Sequence, residues 1–204
     1  MNNQFEVFLG LGSNIGDRVN LLKAARQSLE NLPLAHFRAS AIYESEPYQG
    51  ARQPPYLNQV VGGWTQLSPS KLLNACHIIE KNLGRIRKKR WESRLIDIDI
   101  LFYENLVLNT EQLSIPHLDL VNRGFVLLPL AEMIPKQIDP RTNQSIETLL
   151  DHWKYHSSEP TPVLFNNISK VEKSEKAVIE YQENRNLYHQ QADQKFRFDV
   201  KTLK

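Results

Sequence analysis

The strongest constraint on the fold is the order in which strand-like and helix-like patterns of apolar residues alternate over the first half of the chain. Alternation of apolar and polar residues predicts four strands, at Phe5–Leu11, Phe37–Glu44, Leu57–Thr65 and Leu95–Tyr103. Recurrence at helical spacing predicts two helices, one between an Asp17 cap and Pro33 and one between a Ser68 cap and Gly84. The strand-helix-strand order occurs twice. It predicts an α+β fold with a ferredoxin-like split βαβ antiparallel sheet and packed helices, an α/β/α sandwich.

The distribution of glycine divides the chain in two. All eight glycines precede residue 125, whereas the last 50 of the 204 residues contain none and are rich in Glu, Lys, Asn and Gln. Glycine marks tight turns, so we expect one domain at 1–154 and a polar C-terminal extension at 155–204. The extension is expected to be a peripheral helix near Ile168–Ala192 or a partly ordered tail. Its length is too small for a further barrel enzyme of roughly 250 residues.

The cysteine content and the length of the apolar runs indicate the cellular compartment. Cys76 is the single cysteine, which excludes an internal disulfide and a cysteine-based zinc site. The longest apolar runs, such as Phe125–Leu128, are far shorter than the roughly 20 residues that span a bilayer, and the first residues lack a basic leader. We therefore expect a cytoplasmic protein with no membrane partner.

The net charge of +2 conceals one strongly basic segment. Residues 84–94, GRIRKKRWESR, hold six basic residues and one acid, so this segment carries +5 and the rest of the chain sums to −3. Its arginines suit forked contacts to phosphate oxygens, which predicts an anionic partner. A nucleic acid is one candidate because Trp91 could stack on a base. A single aromatic residue and a near-neutral chain make that electrostatic signal weak.

Asp97 and Asp99 lie two residues apart on the fourth predicted strand, so their side chains share one face of it. Two carboxylates at this spacing repel each other unless a cation or a proton lies between them, and oxygen ligands favour Mg²⁺. For an isolated pair, a strand with a solvated polar face is the simpler interpretation. The adjacent basic segment favours a metal site over a solvated face, because phosphoryl transfer from Mg·ATP needs a metal site beside a polyanion site.

Three other features stay open at this point. The opening LGLGSNIGD has neither the glycine spacing of a dinucleotide-binding loop nor a following Gly-Lys-Ser/Thr, which favours a tight strand-to-helix turn. His117 has no second histidine at ligand spacing, so a hydrogen-bonding loop residue is the better interpretation. Tyr56 and Phe125, taken alone, look like core aromatic residues.

Four stretches of the chain, in the same order, resemble the motifs of one enzyme family. They are GSNIGDR, PPYLNQVV, GRIRKKRWESRLIDIDIL and IPHLDLVNRGFVLLPL, and together they fall within Phe5–Ile146. The chain resembles the 6-hydroxymethyl-7,8-dihydropterin pyrophosphokinases, which move the terminal pyrophosphate of ATP to the pterin hydroxymethyl group and release AMP. The resemblance implies an ATP-dependent transferase of folate biosynthesis that uses two Mg²⁺ ions.

The resemblance assigns the charged residues to the reacting phosphates. Asp97 and Asp99 correspond to the pair that holds both metal ions between ATP and the hydroxyl group. Arg85 and Arg94 correspond to two loop arginines that close over the phosphates. We expect residues 84–94 to form a lid that becomes ordered only with both substrates bound, because its six like charges repel one another in the free protein.

The remaining motif residues correspond to ligand contacts. The pterin ring is implied to lie between Tyr56 and Phe125, with the Asn58 amide at its polar edge. This agrees with the preference of a flat heteroaromatic ring for stacking on both faces and for in-plane hydrogen bonds. Contacts to ATP are implied for Glu80, Arg87, Ile100, Ser114, His117 and Arg123.

The chain departs from the family pattern in three places. Glu92-Ser93 stands in place of the usual Gly-Pro, Gln112 in place of a frequent arginine, and Leu118 in place of a common aromatic residue. We expect these departures to alter individual ATP contacts and the behaviour of the loop rather than the class of reaction.

The rival hypothesis is a non-catalytic nucleic-acid-binding module on the same ferredoxin-like fold. Its basic segment would bind phosphates, and Tyr56 or Trp91 would stack on bases. The acidic pair argues against it, because two carboxylates repel a phosphate backbone unless they hold a metal. We therefore expect small-molecule partners, no nucleic acid, and a monomer, with association through the tail left open.

Overall fold

The computed structural model of the protein describes residues 4–47, 52–85 and 94–165. Within them, ten strands occur: β1 (Phe5–Ser13), β2 (Leu34–Ala39), β3 (Tyr43–Ser45), β4 (Tyr56–Thr65), β5 (Asp97–Tyr103), β6 (Leu108–Asn109), β7 (Ser114–Ile115), β8 (Ile138–Asp139), β9 (Gln144–Ser145) and β10 (Val163–Leu164). The α-helices of these residues are α1 (Arg18–Glu30), α2 (Pro69–Asn82), α3 (Gly124–Met133) and α4 (Ile146–His156). A short 3-10 helix spans Leu120–Asn122.

The main sheet is antiparallel, with β1 and β4 at its centre. Its strand order is β10-β3-β4-β1-β5, and β2 pairs with β4 beside β3. Two small hairpins, β6-β7 and β8-β9, lie outside this sheet. The fold is therefore a mixed α/β architecture with an antiparallel sheet and packed helices, and strand β5, which carries both aspartates, pairs along β1.

The alternating side chains of β1 contribute to two separate hydrophobic clusters. Val7, Leu9 and Leu11 are buried against α1 and α2, and the isoleucines of β5 join them. Phe8 faces the other way and joins the cluster formed with α3 and α4. Helices therefore cover both faces of the sheet. Because Ile98 faces α1 and α2, the flanking carboxylates of β5 point to the opposite face.

Both helices predicted from periodicity are confirmed. The Asp17 carboxylate accepts a hydrogen bond from the Asn20 backbone N–H at 3.2 Å, which caps α1. Helix α2 begins at Pro69, and the chain leaves it through Gly84, whose φ of 90° favours glycine. None of the helices in the described residues is long and apolar enough to cross a membrane.

The single strand predicted at Phe37–Glu44 is wrong, because two strands, β2 and β3, occupy this region. The strand is interrupted at Ser40 and Ala41, where side chains replace backbone groups as hydrogen-bond partners. The Ser40 hydroxyl accepts a hydrogen bond from the Val60 N–H at 3.0 Å, and the Ala41 N–H donates to the Glu132 carboxylate at 3.0 Å. These contacts join the strands to β4 and α3, which local alternation does not reveal.

The first compact unit extends beyond the boundary expected after residue 154. Helix α4 continues to His156, and β10 then pairs with β3 through Val163 and Glu44. The unit runs from Met1 to Phe165. Residues 166–204, including the helix expected near Ile168–Ala192, lie outside the described residues.

We predict that Gly124→Ala destabilises the fold, because Trp153 lies directly against this glycine. A Cβ at position 124 would come within 2.3 Å of the Trp153 indole, which is only 6% exposed and has no room to move. Overpacking of this kind costs about 1–3 kcal/mol, which lowers Tm by roughly 2–12 °C in a protein of this size. Thermal unfolding followed by circular dichroism measures the change.

Gly12→Ala is the matched control for this measurement. A Cβ at Gly12 would meet its nearest neighbours, Asn58 and Tyr56, only at 3.8 and 3.9 Å, which is ordinary contact. Its Tm should therefore change little. Equal Tm values for Gly124→Ala and the wild type would show that the indole does not pack on this glycine.

Candidate active site

The two aspartates of β5 lie opposite glycines of β1. In the sheet register Asp97 pairs with Gly12 and Asp99 with Gly10. Paired residues of an antiparallel sheet share a face, so the missing side chain of Gly12 leaves space beside Asp97, whereas Gly10 makes room for the Leu101 side chain. The two glycines of the opening LGLG motif and both aspartates line one cavity.

Arginines surround the Asp97 carboxylate. Arg85 Nη1 lies 2.6 Å from Asp97 Oδ1, and Arg94 Nη1 forms an ion pair with Asp97 Oδ2. The Asp97 side chain is 18% exposed. Its negative charge is therefore neutralised by the two guanidinium groups that the resemblance assigns to the reacting phosphates.

Asp99 has more distant partners than Asp97, one of them a cation and one a histidine. Arg123 Nη1 lies 3.9 Å and His117 Nε2 3.8 Å from Asp99 Oδ2. The Asp99 side chain is 41% exposed but lies within the cavity, where surrounding protein atoms displace water. This desolvation, followed by repulsion from Asp97, raises the pKa of Asp99 to about 7, although Arg123 opposes the shift. An uncompensated carboxylate of this kind favours a bound cation.

Glu80 of α2 lies buried behind the acidic pair and is 2% exposed. Its carboxylate accepts a hydrogen bond from the Ile98 backbone N–H at 2.8 Å and forms an ion pair with Arg85. Ile98 is the residue between the two aspartates, so Glu80 fixes the backbone that spaces them. Desolvation raises the pKa of Glu80 to about 7, against the lowering effects of the Ile98 N–H and Arg85.

His117 presents a neutral donor to the acidic pair. The Asp119 backbone N–H donates to His117 Nδ1 at 3.2 Å, which places the proton of the neutral ring on Nε2. Burial, and then the positive charge of Arg123, lower the pKa of His117 to about 4. At neutral pH, Nε2–H is therefore a hydrogen-bond donor directed towards the aspartates and any oxygen anion beside them.

Aromatic and amide groups line the larger of two cavities at the aspartates. This cavity of about 360 Å³ lies between Tyr56 and Asn58 of β4 and Phe125 of α3. The Asn58 Nδ2 donates to Ser45 Oγ at 2.9 Å, which fixes the amide in place. The volume of this cavity, and its lining of aromatic and polar residues, suit a small planar ligand with polar edges.

A second cavity, of about 300 Å³, lies on the other side of the same carboxylates. Asp97, Asp99, Arg94 and His117 line both cavities. Residues that line only the second cavity of the two include Glu80, Arg85, Ile100, Gln112 and Ser114. The two cavities therefore meet at the acidic pair, which can hold a cation between a ligand in one and a ligand in the other.

Most of the residues assigned from the sequence come together here. Tyr56, Asn58 and Phe125 line the first cavity, whereas Glu80, Ile100 and Ser114 line the second. Arg123, expected at ATP, lies on the first cavity and close to Asp99. Arg87 and the centre of the expected lid, residues 86–93, lie outside the described residues.

Sequence reasoning missed two residues of this region, Asn14 and Gln53. Asn14 is 1% exposed and its amide contacts both Gln53 and Arg94. Asn14 belongs to the GSNIGDR motif, and its place in this motif is the feature by which the sequence could have identified it. Gln53 precedes Tyr56 in a proline-rich loop and carried no signal of its own.

The structure thus provides two adjoining cavities that meet at a pair of carboxylates, the kind of site that binds two small-molecule ligands side by side. Residues 8–135 match the family model for 7,8-dihydro-6-hydroxymethylpterin-pyrophosphokinase. The chain belongs to this family.

Curated relatives agree with the family match. The 2-amino-4-hydroxy-6-hydroxymethyldihydropteridine pyrophosphokinase of Haemophilus influenzae is 39% identical over 150 residues, which cover 73% of this chain and 93% of that protein. The enzyme of the same name from Methylorubrum extorquens is 44% identical over 129 residues, covering 63% of this chain and 82% of the relative.

Solved structures agree on the fold. A crystal structure of Plasmodium falciparum HPPK-DHPS with pteroate has a TM-score of 0.61 at 18% identity. The match covers 74% of this chain but only 42% of that longer one. At this identity the likeness concerns the fold.

The chain is therefore an ATP-dependent pyrophosphokinase of folate biosynthesis. It transfers the pyrophosphoryl group of ATP to the hydroxymethyl group of 6-hydroxymethyl-7,8-dihydropterin, which yields AMP and the pterin diphosphate. The relatives named above give no support to the rival nucleic-acid-binding module.

Proposed function

We propose that the enzyme uses two Mg²⁺ ions, held between Asp97, Asp99 and the phosphates of ATP. Carboxylate oxygens fit Mg²⁺, which is bound in nucleotide sites by one or two carboxylates together with substrate phosphates. Among the residues in the described ranges, no group of three or more His, Cys, Asp or Glu side chains could hold a metal. Phosphate oxygens would therefore complete the ligand set. When bound, Mg²⁺ neutralises phosphate charge and lowers the pKa of the attacking hydroxyl.

Arg85 and Arg94 exchange one anionic partner for another in this proposal. Both guanidinium groups pair with Asp97 in the free protein. The phosphates of ATP offer a bidentate alternative of higher charge. Transfer of the arginines to the phosphates would leave Asp97 available as a ligand and bring positive charge to the leaving AMP.

The first cavity is proposed to hold the pterin. Tyr56 and Phe125 would stack on opposite faces of the ring, and Asn58 would bind its amide-like edge. The Ser45 contact to Nδ2 supports this role for Asn58, because it directs the Oδ1 acceptor towards Gly12 and the cavity. The ring would thus be positioned with its hydroxymethyl arm at the aspartates.

The second cavity is proposed to hold ATP. The residues proposed to contact the nucleotide are Glu80, Ile100, Ser114 and His117, which line this cavity, Arg123, which lies beside Asp99 on the first cavity, and Arg87, which lies outside the described residues. The neutral His117 Nε2–H suits a phosphate oxygen, because it donates without depending on pH in the neutral range. Gln112 lines this cavity and Leu118 lines both cavities, so two of the three departures from the family pattern lie at the proposed ligand sites.

The protein's own contribution to the transfer is placement. A shared wall between two cavities would set the hydroxymethyl oxygen in line with the β-phosphorus, the geometry that pyrophosphoryl transfer requires. No side chain among the described residues stands out as a general base, and we assign none. The proposed residues bind, orient and neutralise charge.

The observation that carries the proposal is the pair of carboxylates common to both cavities. The test is AMP formation from Mg·ATP with and without 6-hydroxymethyl-7,8-dihydropterin. We expect AMP and pterin diphosphate in equal amounts, no AMP without the pterin, and no reaction with excess EDTA. Formation of ADP and phosphate, or AMP release without the pterin, would contradict the proposal.

RNA binding provides the test of the rival module. The affinity of a nucleic-acid-binding protein falls steeply as the salt concentration rises. Its lysines and arginines release counterions from the phosphates, and this release is less favourable at high salt. We expect no specific RNA binding and no effect of RNA on AMP formation. Tight, salt-dependent RNA binding by a protein without pyrophosphokinase activity would favour the rival.

We propose a ferredoxin-like topology, supported by the position of β1 between β4 and β5 and by antiparallel pairing on both sides of β1. We also propose that the enzyme is a cytoplasmic monomer. Sedimentation of the full chain and of a 1–165 truncation tests the monomer and the role of the extension together.

A further inference from the structure

Asn14, at the turn between β1 and α1, joins two segments that are distant in the sequence. Its Nδ2 donates to Gln53 Oε1 at 3.1 Å and to the Pro54 carbonyl at 3.4 Å. Its Oδ1 accepts a hydrogen bond from the Arg94 backbone N–H at 2.8 Å. The Asn14 N–H also donates to the Arg94 carbonyl at 3.2 Å. One buried residue therefore holds both the loop before β4 and the segment before β5.

Each of the two segments carries a group of the proposed site. Gln53 Oε1 also accepts a hydrogen bond from the Tyr56 hydroxyl at 2.9 Å, and Tyr56 lines the aromatic cavity. The Arg94 side chain forms an ion pair with Asp97. A continuous series of contacts thus leads from the Tyr56 ring through Gln53 and Asn14 to Arg94 and the acidic pair.

The chemistry of the amide explains why asparagine is needed in the middle of this series. The position requires a donor on one side and an acceptor on the other, from a short side chain that is 1% exposed. Aspartate keeps only the acceptor, and an apolar residue keeps neither. A buried amide with both partners is ordered by each of them.

We infer that Asn14 is a positioning residue that couples pterin binding to nucleotide binding by linking Tyr56 to Arg94. This inference rests on the proposed assignment of the two cavities. A pterin stacked on Tyr56 orders Gln53 and then Asn14, and Asn14 fixes the backbone from which Arg94 reaches Asp97. Nucleotide binding orders the same amide from the other side, so the second ligand meets a site whose ordering is already complete.

The test measures coupling rather than activity. Pterin affinity is determined by calorimetry with and without the Mg²⁺ complex of an ATP analogue that has a methylene bridge between the α- and β-phosphorus, the bond broken in the reaction. The measured quantity is the ratio of the two pterin affinities. In the wild type, we expect the analogue to increase pterin affinity at least fivefold, within the usual range of allosteric coupling.

Asn14→Asp is the principal variant, because it keeps the acceptor for the Arg94 N–H and removes the donor to Gln53. We expect the affinity ratio to fall towards one. Gln53→Met breaks the same link from the other end and leaves the Asn14 contacts with Arg94 in place, so it tests the inference should Asn14→Asp fail to fold. In both variants kcat should also fall more than the nucleotide KM rises.

Asn20→Ala is the matched control. Asn20 is also a buried asparagine, and its Nδ2 donates to Asp17 within the cap of α1. It should lower Tm and leave the affinity ratio unchanged. An unchanged ratio in folded Asn14→Asp and Gln53→Met, or no coupling in the wild type, would overturn the inference. Absence of AMP formation by the wild type would instead refute the proposed function.

Discussion

Asp99→Asn is expected to reduce AMP formation by at least a factor on the order of 10²–10³ while the protein stays folded. Loss of one preorganised group that stabilises charge in a transition state typically has an effect of this size. Asp97→Asn should be equally inactive, because the proposed metal site needs both carboxylates. Initial rates at saturating Mg²⁺ measure the loss.

Asp97→Asn and Asp99→Asn should differ in their free energy of unfolding, although both should be inactive. Asp99 has only distant cationic partners and a raised pKa, so its replacement by a neutral amide relieves repulsion from Asp97. Asp97→Asn instead removes the carboxylate that pairs with Arg94 and one of the two that pair with Arg85. We expect it to lower the free energy of unfolding by about 1–3 kcal/mol, the usual range for hydrogen bonds to charged groups.

The stability difference for Asp99 depends on pH. Its folded pKa of about 7 lies above the unfolded value of about 3.9, so the folded state binds this proton more tightly. The stabilising effect of the proton is fully present below about pH 4 and is lost as the pH rises through about 7. In EDTA, the Tm of Asp99→Asn relative to the wild type should therefore rise between about pH 5 and pH 8.

Asp151→Asn is a control for these measurements, because this exposed carboxylate of α4 pairs with Lys154 and lines neither cavity. It should retain most of the AMP formation and show no such pH dependence in Tm. Near wild-type AMP formation by Asp97→Asn or Asp99→Asn at saturating Mg²⁺ would refute the metal assignment.

Tyr56→Ala and Phe125→Ala should each weaken pterin binding and leave nucleotide affinity nearly unchanged. Stacking of a base on an aromatic side chain contributes about 1–3 kcal/mol, which corresponds to a loss of roughly 5- to 150-fold in affinity. Both rings line the first cavity and are absent from the lining of the second. Calorimetric titration with the pterin and with the Mg·ATP analogue separates the two affinities.

Tyr56→Phe refines the interpretation of this pair. It keeps the stacking face and removes the hydroxyl that donates to Gln53. We expect it to bind the pterin alone nearly as well as the wild type. If Tyr56→Ala and Phe125→Ala weakened both ligands equally and lowered Tm, the rings would be core residues rather than pterin contacts.

The sequence by itself determined the strand face that carries the two aspartates and the starts of two helices. Strict alternation around Ile98 placed Asp97 and Asp99 on one face, and the structure confirms this arrangement because Ile98 and Ile100 are buried on the other. The Asp17 cap and Pro69 located the start of two helices. Such signals are local, since periodicity and capping depend on neighbours within one or two turns.

Other elements depended on contacts that local patterns do not contain. The break between β2 and β3 depends on Glu132 of α3, and β10 is a strand because β3 offers it an edge. Helix α3 is apolar almost throughout, so it lacks the periodic stripe by which a helix is recognised. Its burial between the sheet and α4 explains that composition.

The same distinction applies to the site. Residue types and spacing indicated Asp97 and Asp99, and the resemblance of four motifs supplied roles for their neighbours. Only the tertiary structure brought Glu80 to the Ile98 N–H and Asn14 to Gln53 and Arg94. Those partners are separated by 18, 39 and 80 positions in the chain. A buried polar group must find its partner wherever the packing of α2, β1 and β5 provides one, and that packing is decided by the whole fold.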